Sequence, residues 1–304
     1  MAERPEAVTT AHEQTFAENR RLLFSIAYEI LGSVVDAEDV LHDSYLRWVE
    51  VDLAPVENPR AYLAQVVTRQ ALGVLRSAAR RREEYIGPWL PEPLAATSEG
   101  GVEHVLTGEA VTTAMLLVLE TLTPVQRAVF VLREVFAFSY AEIATAVGKS
   151  EAAVRQLNQR ARDRVHEKRH TAIATPAEAQ SVAERFTIAA ATGDVQALMD
   201  VLAPDVVFIG DGGGMVSAVR RPVVGPDKVA RLVIGLLQKG GRLGELGVHF
   251  GVYNAMPAVA ATIDGVLDQV TSIEVTDGVV TAVYCVRNPD KLRSVRVPQG
   301  RSAR

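Results

Sequence analysis

The stretch YAEIATAVGKSEAAVRQLNQRAR, from Tyr140 to Arg162, has the pattern of two short helices joined at a sharp corner. Tyr140, Ile143, Ala144 and Val147 recur at spacings of three and four and predict the buried face of the first helix, with small Ala144 permitting close approach by the second. Gly148 supplies a left-handed backbone position, which other residues adopt only with strain. Ser150 is placed to cap the second helix by accepting a bond from an orphan backbone N–H. On that helix Val154, Leu157, Ala161 and Val165 form the inner stripe, which leaves Arg155, Gln156, Gln159 and Arg160 outward, with Arg162 and Arg164 beyond. Major-groove readout uses these side-chain types: Arg bonds guanine bidentately, Gln bonds adenine, and flanking arginines suit phosphates. The expectation is a helix-turn-helix whose second helix reads DNA.

Upstream of this motif, Thr123 is placed to cap a helix that begins at Pro124. Further back, from Phe16 to about Tyr85, Leu22, Leu23, Ile26, Ala27 and Ile30 open a helical pattern. Asp36 reads as the N-cap of the next helix, on which Val40, Leu41, Tyr45 and Trp48 share one face while Asp36, Glu38, Asp39 and Asp43 make the other acidic. Asn58-Pro59 starts a third helix, since proline suits the first helical position. It turns Tyr62, Leu63, Val66, Val67, Leu72 and Leu75 inward and leaves Arg60, Arg69 and Arg76 to point elsewhere.

The net charge of −5 over 304 residues argues against a nonspecific polyanion binder, but the charges are sorted. Six cations fall between Arg60 and Arg82 and seven between Lys149 and Arg169, whereas Glu83 to Gln126 holds seven glutamates and no Lys or Arg. Two basic modules thus flank an acidic connector, broken by Pro88, Pro91, Pro93, Gly100 and Gly101. The single Cys285 excludes an internal disulfide, and without a clustered His partner it cannot build a structural zinc site. No metal or cofactor is expected. With no secretory leader and no apolar run of eighteen residues, the chain is expected in the cytoplasm.

Beyond Pro176 the pattern changes to α+β: two helices, a strand at Val206-Val207-Phe208-Ile209, a Gly212-Gly213-Gly214 turn, and a helix after Gly225-Pro226-Asp227. Three strands are then expected, around Val248 to Asn254, Gln269 to Val275 and Val279 to Val286, the last two joined by an Asp277-Gly278 hairpin turn. With 13 acidic and 13 basic residues, this part has no electrostatic reason to touch DNA.

The stretch from Leu122 to Ala144 resembles conserved region 4 of the extracytoplasmic-function RNA polymerase sigma factors, which reads the promoter element around minus thirty-five. Asp36-Ala-Glu-Asp-Val-Leu-His-Asp-Ser-Tyr-Leu-Arg-Trp resembles the helix of region 2 that docks on the largest polymerase subunit. Residues 58–82 resemble the segment that captures and melts the minus-ten element. The resemblance implies Asp36, Glu38, Asp39, Asp43 and Trp48 toward polymerase. It implies Asn58, Arg60, Tyr62, Arg69 and Arg76 toward minus-ten DNA, and Ser150, Arg155, Gln156, Gln159, Arg160 and Arg162 toward minus-thirty-five DNA. Tyr62 reads equally as a base-stacking aromatic and as a core residue. In the family the joining segment threads a positively charged polymerase channel, which suits the cation-free connector.

Three shorter stretches, Trp89-Leu-Pro-Glu-Pro-Leu, Asp211-Gly-Gly-Gly-Met and Asn288-Pro-Asp-Lys-Leu, resemble a sigma subgroup that carries a SnoaL-like, nuclear-transport-factor-2-like domain as a built-in regulator. The expected fold is multi-domain: region 2, an all-α bundle, at 10–86; a linker at 87–110; region 4, also all-α, at 111–172; and the α+β domain at 177–304. Core polymerase and promoter DNA are the expected partners, with no separate anti-sigma factor and no membrane. Trp89, Leu90 and Pro91 are expected to dock on Asp211, Gly212, Gly213 and Gly214 and on Asn288, Pro289, Asp290 and Lys291, with Trp89 as the anchor in an apolar groove. The first alternative is a small-molecule pocket or an isomerase-like enzyme recruiting Asp264, Asp268, His249, Tyr253 and Tyr284. The second is a dimeric helix-turn-helix regulator that works without polymerase.

Overall fold

A computed structural model describes residues 6–83, 85–95, 112–168 and 174–297. Glu99, Glu103 and Glu109 of the acidic connector, and the side chains of Arg80, Arg81 and Arg82, lie outside the described residues. The chain forms two compact units, the first of Met1–Glu83 with Val118–Arg169, the second of Glu84–Leu117 with His170–Arg304.

In the first unit, α1 (Glu6–Leu31), α2 (Val34–Trp48) and α3 (Pro59–Glu83) pack mutually. Leu23, Ile26 and Ile30 are buried with Val40, Leu41, Leu63 and Val67, the apolar stripes their spacing predicts. The start of α2 differs from expectation. Ser33 is the N-cap, its hydroxyl accepting from the Asp36 N–H at 3.1 Å, and Asp36 lies in the first turn, where its charge meets the positive end of the helix dipole. Asn58 caps α3 by accepting from the Ala61 N–H at 3.0 Å. Trp48 is also placed differently: it is 1% exposed and donates to the His12 carbonyl at 3.0 Å, so its ring is core and not a polymerase-facing surface.

After α4 (Thr113–Leu119), the chain runs through α5 (Pro124–Phe130), a π-helical turn (Val131–Val135), α6 (Tyr140–Val147) and α7 (Glu151–Lys168). Thr123 with Gln126, and Ser139 with Glu142, form capping boxes in which each partner satisfies the other's backbone N–H. Gly148 adopts φ 66° and ψ 43°, the corner expected between α6 and α7. The wide π turn closes on Phe136 N–H to Val131 O at 3.2 Å and leaves Phe136 and Phe138 buried on either side of Ala137.

The second unit contains α8 (Pro176–Thr192), α9 (Val195–Val201) and α10 (Pro226–Leu243) against one sheet. Its strands are β1 (Leu202–Asp211), β2 (Val223–Val224), β3 (Leu246–Tyr253), β4 (Met256–Ile263), β5 (Val266–Thr276) and β6 (Val279–Val286), followed by the short helix α11 (Pro289–Leu292). The order is β2-β1-β6-β5-β4-β3, with β1 parallel to β6 and every other pair antiparallel. β4 was not expected: MPAVAATI is alanine-rich with an early proline and lacks the branched and aromatic residues that signal a strand. Its pairing comes from two tight turns, Asn254-Ala255 and Asp264-Gly265, all four residues at positive φ.

Alternation along the strands gives the sheet two apolar faces. Phe208, Ile273, Val275, Val283 and Cys285 meet the helices. On the other face Ala258, Ala260, Val270, Ala282, Tyr284 and Val286 form a second core with Tyr253, Met256 and Leu292. Leu90, a linker residue, is fully buried in that second core.

Candidate functional site

On α7 the expected outward residues Arg155, Gln156, Gln159, Arg160, Arg162 and Arg164 are all exposed, and Ser150 caps the helix by accepting from the Ala153 N–H at 3.3 Å. Two of them are pre-positioned. Arg155 pairs with Glu151 at 3.2 Å and stacks 4.3 Å from the Tyr140 ring centroid, and Gln159 donates to Asp163 at 2.7 Å. Asn158, absent from the expected set, is 2% exposed and donates to Glu134 at 2.7 Å, fastening α7 to the π turn. Its place on the stripe with Val154, Ala161 and Val165 was the available signal.

The residues expected at minus-ten DNA take other partners. Arg69 donates from Nη2 to the Thr145 carbonyl at 2.7 Å and from Nε to the Ala146 carbonyl at 3.2 Å, at the end of α6. Arg60 lies over the Phe138 ring, 5.4 Å from its centroid. Tyr62 is half-buried with its ring 5.8 Å from that of Trp48, and Arg76 is exposed. A second tie between the same two helical sets is Arg127, 1% exposed, which donates to the Glu29 carbonyl at 3.1 Å and pairs with Glu120. Burial lowers its guanidinium to about 9, against the opposing pull of Tyr28 and Glu29. On α2, Asp39 and Asp43 are exposed, Asp36 is half-buried, and Glu38 pairs with Arg20 at 2.7 Å.

In the second unit, Asp211 closes β1 with its side chain fully buried. Its Oδ1 accepts from the Tyr85 hydroxyl at 2.5 Å and the Gly213 N–H at 3.0 Å. Its Oδ2 accepts from the Leu90 N–H at 2.9 Å and from Lys291 Nζ at 2.7 Å. Lys291 also donates to the Leu90 carbonyl at 2.6 Å, and Asn288 Nδ2 donates to the Tyr85 hydroxyl at 2.8 Å. The ammonium lies 4.2 Å from the Trp89 ring centroid and 4.9 Å from that of Tyr85.

The linker therefore does meet Asp211, Asn288 and Lys291, but its grip differs from the expected one. Trp89 is half-buried against a cation, and the apolar anchor is Leu90. Pro91 is buried beside it. Pro289 opens α11, whereas Asp290 faces away and pairs with Arg293. The glycines of the turn are sterically required. A Cβ on Gly213, at φ 59°, would run into the Asn288 amide, one on Gly214 would reach Ile86, and one on Gly212 would meet the Val216 carbonyl.

A second grip was not anticipated. Asn254 exchanges two bonds with Leu94, its N–H donating to the Leu94 carbonyl and its Oδ1 accepting from the Leu94 N–H, both at 2.9 Å. Its Nδ2 donates to the Glu92 carbonyl at 3.2 Å and to Thr113 Oγ1 at 3.3 Å. Ala95 bridges Tyr253 at the end of β3, so the linker extends the sheet edge.

The residues of the enzyme alternative do not converge. Asp264 sits in an exposed turn accepting from the Glu245 N–H, Asp268 pairs with Arg287 at 2.8 Å, and His249 meets Thr262. Tyr253 reaches the Arg296 carbonyl, and Tyr284 donates to Glu274 at 2.6 Å, its phenol pushed well up by burial and that carboxylate. Among the described residues no cluster of His, Cys, Asp or Glu could hold a metal, and no helix is long and apolar enough to cross a membrane.

Two family models match the chain, Sigma-70 region 2 over residues 15–81 and Sigma-70 region 4 over residues 112–165. The chain is 40% identical over 286 residues to the ECF RNA polymerase sigma factor SigJ of Mycobacterium tuberculosis, covering 91% of each. It is 30% identical to the probable ECF RNA polymerase sigma factor SigI of the same organism, over 93% of this chain and 95% of that one. The crystal structure of M. tuberculosis SigJ superposes with a TM-score of 0.73 at 35% identity, covering 93% of this chain and 99% of the other.

Proposed function

The chain belongs to the extracytoplasmic-function sigma factors of RNA polymerase, and from that premise we propose that its C-terminal domain sets its activity in cis by holding the linker between regions 2 and 4. As a sigma factor it binds core RNA polymerase and promoter DNA and directs transcription initiation; it is not an enzyme. The regulatory reading rests on one observation: the fully buried Asp211 carboxylate has all its partners only when Tyr85 and Leu90 of the linker are in place beside Lys291. When the linker leaves, Asp211 loses the Tyr85 and Leu90 donors, Lys291 loses the Leu90 carbonyl and two ring faces, and Leu90 loses its apolar site, so the docked linker is the low-energy state.

Within that reading, Gln156, Arg160 and Arg162 face upstream-element bases and phosphates with Arg155 and Gln159, and Asp39 and Asp43 face polymerase. The protein works in the cytoplasm, and its tethered domain takes the place of a separate anti-sigma factor. Run-off transcription with core polymerase, on a promoter lacking any other sigma factor, tests this. Wild type should initiate, and Lys291→Met and Trp89→Ala should change transcript yield severalfold while the helix content stays unchanged. Equal yields from all three proteins overturn regulation in cis.

A further inference from the structure

We propose that Asn254 is a staple that holds the two ends of the acidic connector, Leu94 and Thr113, together, and that its hold on Thr113 is released when the protein joins the polymerase. The proposal rests on the docked-linker reading and adds a positioning residue to it.

Asn254 is 4% exposed and Thr113 3%, so the bonds between them are made out of water. One side chain thus holds Leu94, where the docked part of the linker ends, and Thr113, the first residue of α4. Asn suits both demands on this position. Its φ is 48°, which Asn and Gly tolerate better than other residues, and its amide accepts and donates at once. The β3–β4 turn and the staple are therefore the same residue.

Between Leu94 and Thr113 run eighteen residues, 95–112, without a single Lys or Arg. Extended, they would span roughly 60 Å. With both ends on Asn254 they contribute almost nothing to reach. Yet the connector joins region 2, ending at residue 81, to region 4, beginning at 112. Promoter elements about 25 base pairs apart lie on the order of 85 Å apart on B-DNA. A connector whose two ends are held on one residue cannot reach between two such sites. Of the two grips, Leu94 exchanges two bonds with Asn254 and is followed by the Ala95 bridge to Tyr253, whereas Thr113 takes one polar bond at 3.3 Å beside the half-buried Ala114 and Leu117, so the Thr113 end is the lighter of the two and the one to let go.

Two substitutions separate the grips. Thr113→Val removes the hydroxyl that Asn254 Nδ2 reaches and leaves the Leu94 bonds in place; Asn254→Gly, which keeps the positive φ, removes the side chain from both. Amide exchange would be measured by mass spectrometry on the full-length chain, alone and with core polymerase. In Thr113→Val the first amides of α4 should exchange about fivefold faster, the effect of one hydrogen bond, with Leu94 still protected. In Asn254→Gly both sites should exchange faster. Adding core polymerase to wild type should deprotect the start of α4, and both variants should raise run-off yield. Unchanged α4 exchange in Thr113→Val, protection at Thr113 that persists in the holoenzyme, or wild-type yield from both variants overturns the staple. Lys291→Met in the same assay separates the two readings: if it changes yield and the Thr113 and Asn254 variants do not, the staple alone fails; if none does, regulation by the domain fails.

Discussion

Arg69 of α3 and Thr145 of α6 are joined by a 2.7 Å bond from a guanidinium to a backbone carbonyl, with Ala146 taking the neighbouring N–H of the same fork. The end of a helix carries unsatisfied carbonyls and partial negative charge, so a cation there is favourable on two counts. Arg69→Ala should lower the stability of the first unit by about 1–2 kcal/mol. Arg69→Lys should recover only part of that, because an ammonium lacks the fork that meets two carbonyls. Urea denaturation of the full-length chain checks both.

Replacing Lys291 by Met removes the bond to the Leu90 carbonyl and the cation between Trp89 and Tyr85, and leaves Asp211 short of its ion-pair partner. Docking of the linker should weaken by about 1–3 kcal/mol. Gly213→Ala should act in the same direction by about 1–3 kcal/mol, since it adds a Cβ at positive φ against Asn288. Protease cleavage between Tyr85 and Ala95 is the readout: it should appear in both variants and not in wild type under matched conditions.

Docking should also weaken at high pH through Tyr85. Burial, followed by the Asp211 carboxylate, pushes the docked phenol well above its ordinary range. An undocked Tyr85 ionises at about 10, so above that pH the docked state holds more protons than the undocked one. Docking then loses stability as pH rises through about 10 and is insensitive to this group below about 9. Trp89 fluorescence, titrated from about pH 8.5 to 11, should show that slope in wild type and lose it in Tyr85→Phe.

On the recognition helix, Arg160→Ala and Gln156→Ala should separate two kinds of DNA contact. A base-reading side chain costs about 1–3 kcal/mol on its own sequence and little on others. A phosphate contact weakens all sequences alike and reduces the slope of log affinity against log salt by about one. Titration of duplexes carrying the upstream element, at several salt concentrations, assigns each residue.

Local signals carried most of the helical half. The Gly148 corner, the Thr123-Pro124 start and the stripe of Val154, Ala161 and Val165 each have a backbone or burial reason that one sequence displays. The start of α2 was misread by three residues because Ser33 and Asp36 are both good caps, and tertiary packing chose between them. Trp48 was legible as part of an apolar face, but the His12 carbonyl that fixes it as core lies 36 residues away. The Asp211 dock was legible only as three separate short stretches. The grip of Asn254 on Leu94 and Thr113, separated from it by more than 140 residues, leaves no periodic trace. For the same reason the alanine-rich β4 went unseen: its strand character is imposed by its neighbours on both sides.

The covalent continuity of the linker with the domain that grips it has a consequence for how a cell could control this protein. A regulator on the same chain is present at one copy per sigma factor, at an effective concentration set by the tether and not by expression. It cannot be diluted, outcompeted by a second sigma factor or removed by degrading it alone. Under the regulation in cis proposed above, a signal that relieves the linker has to act on the contact itself, at Asp211, Lys291 or Asn254, and the response is graded by occupancy of that contact and not by the ratio of two proteins.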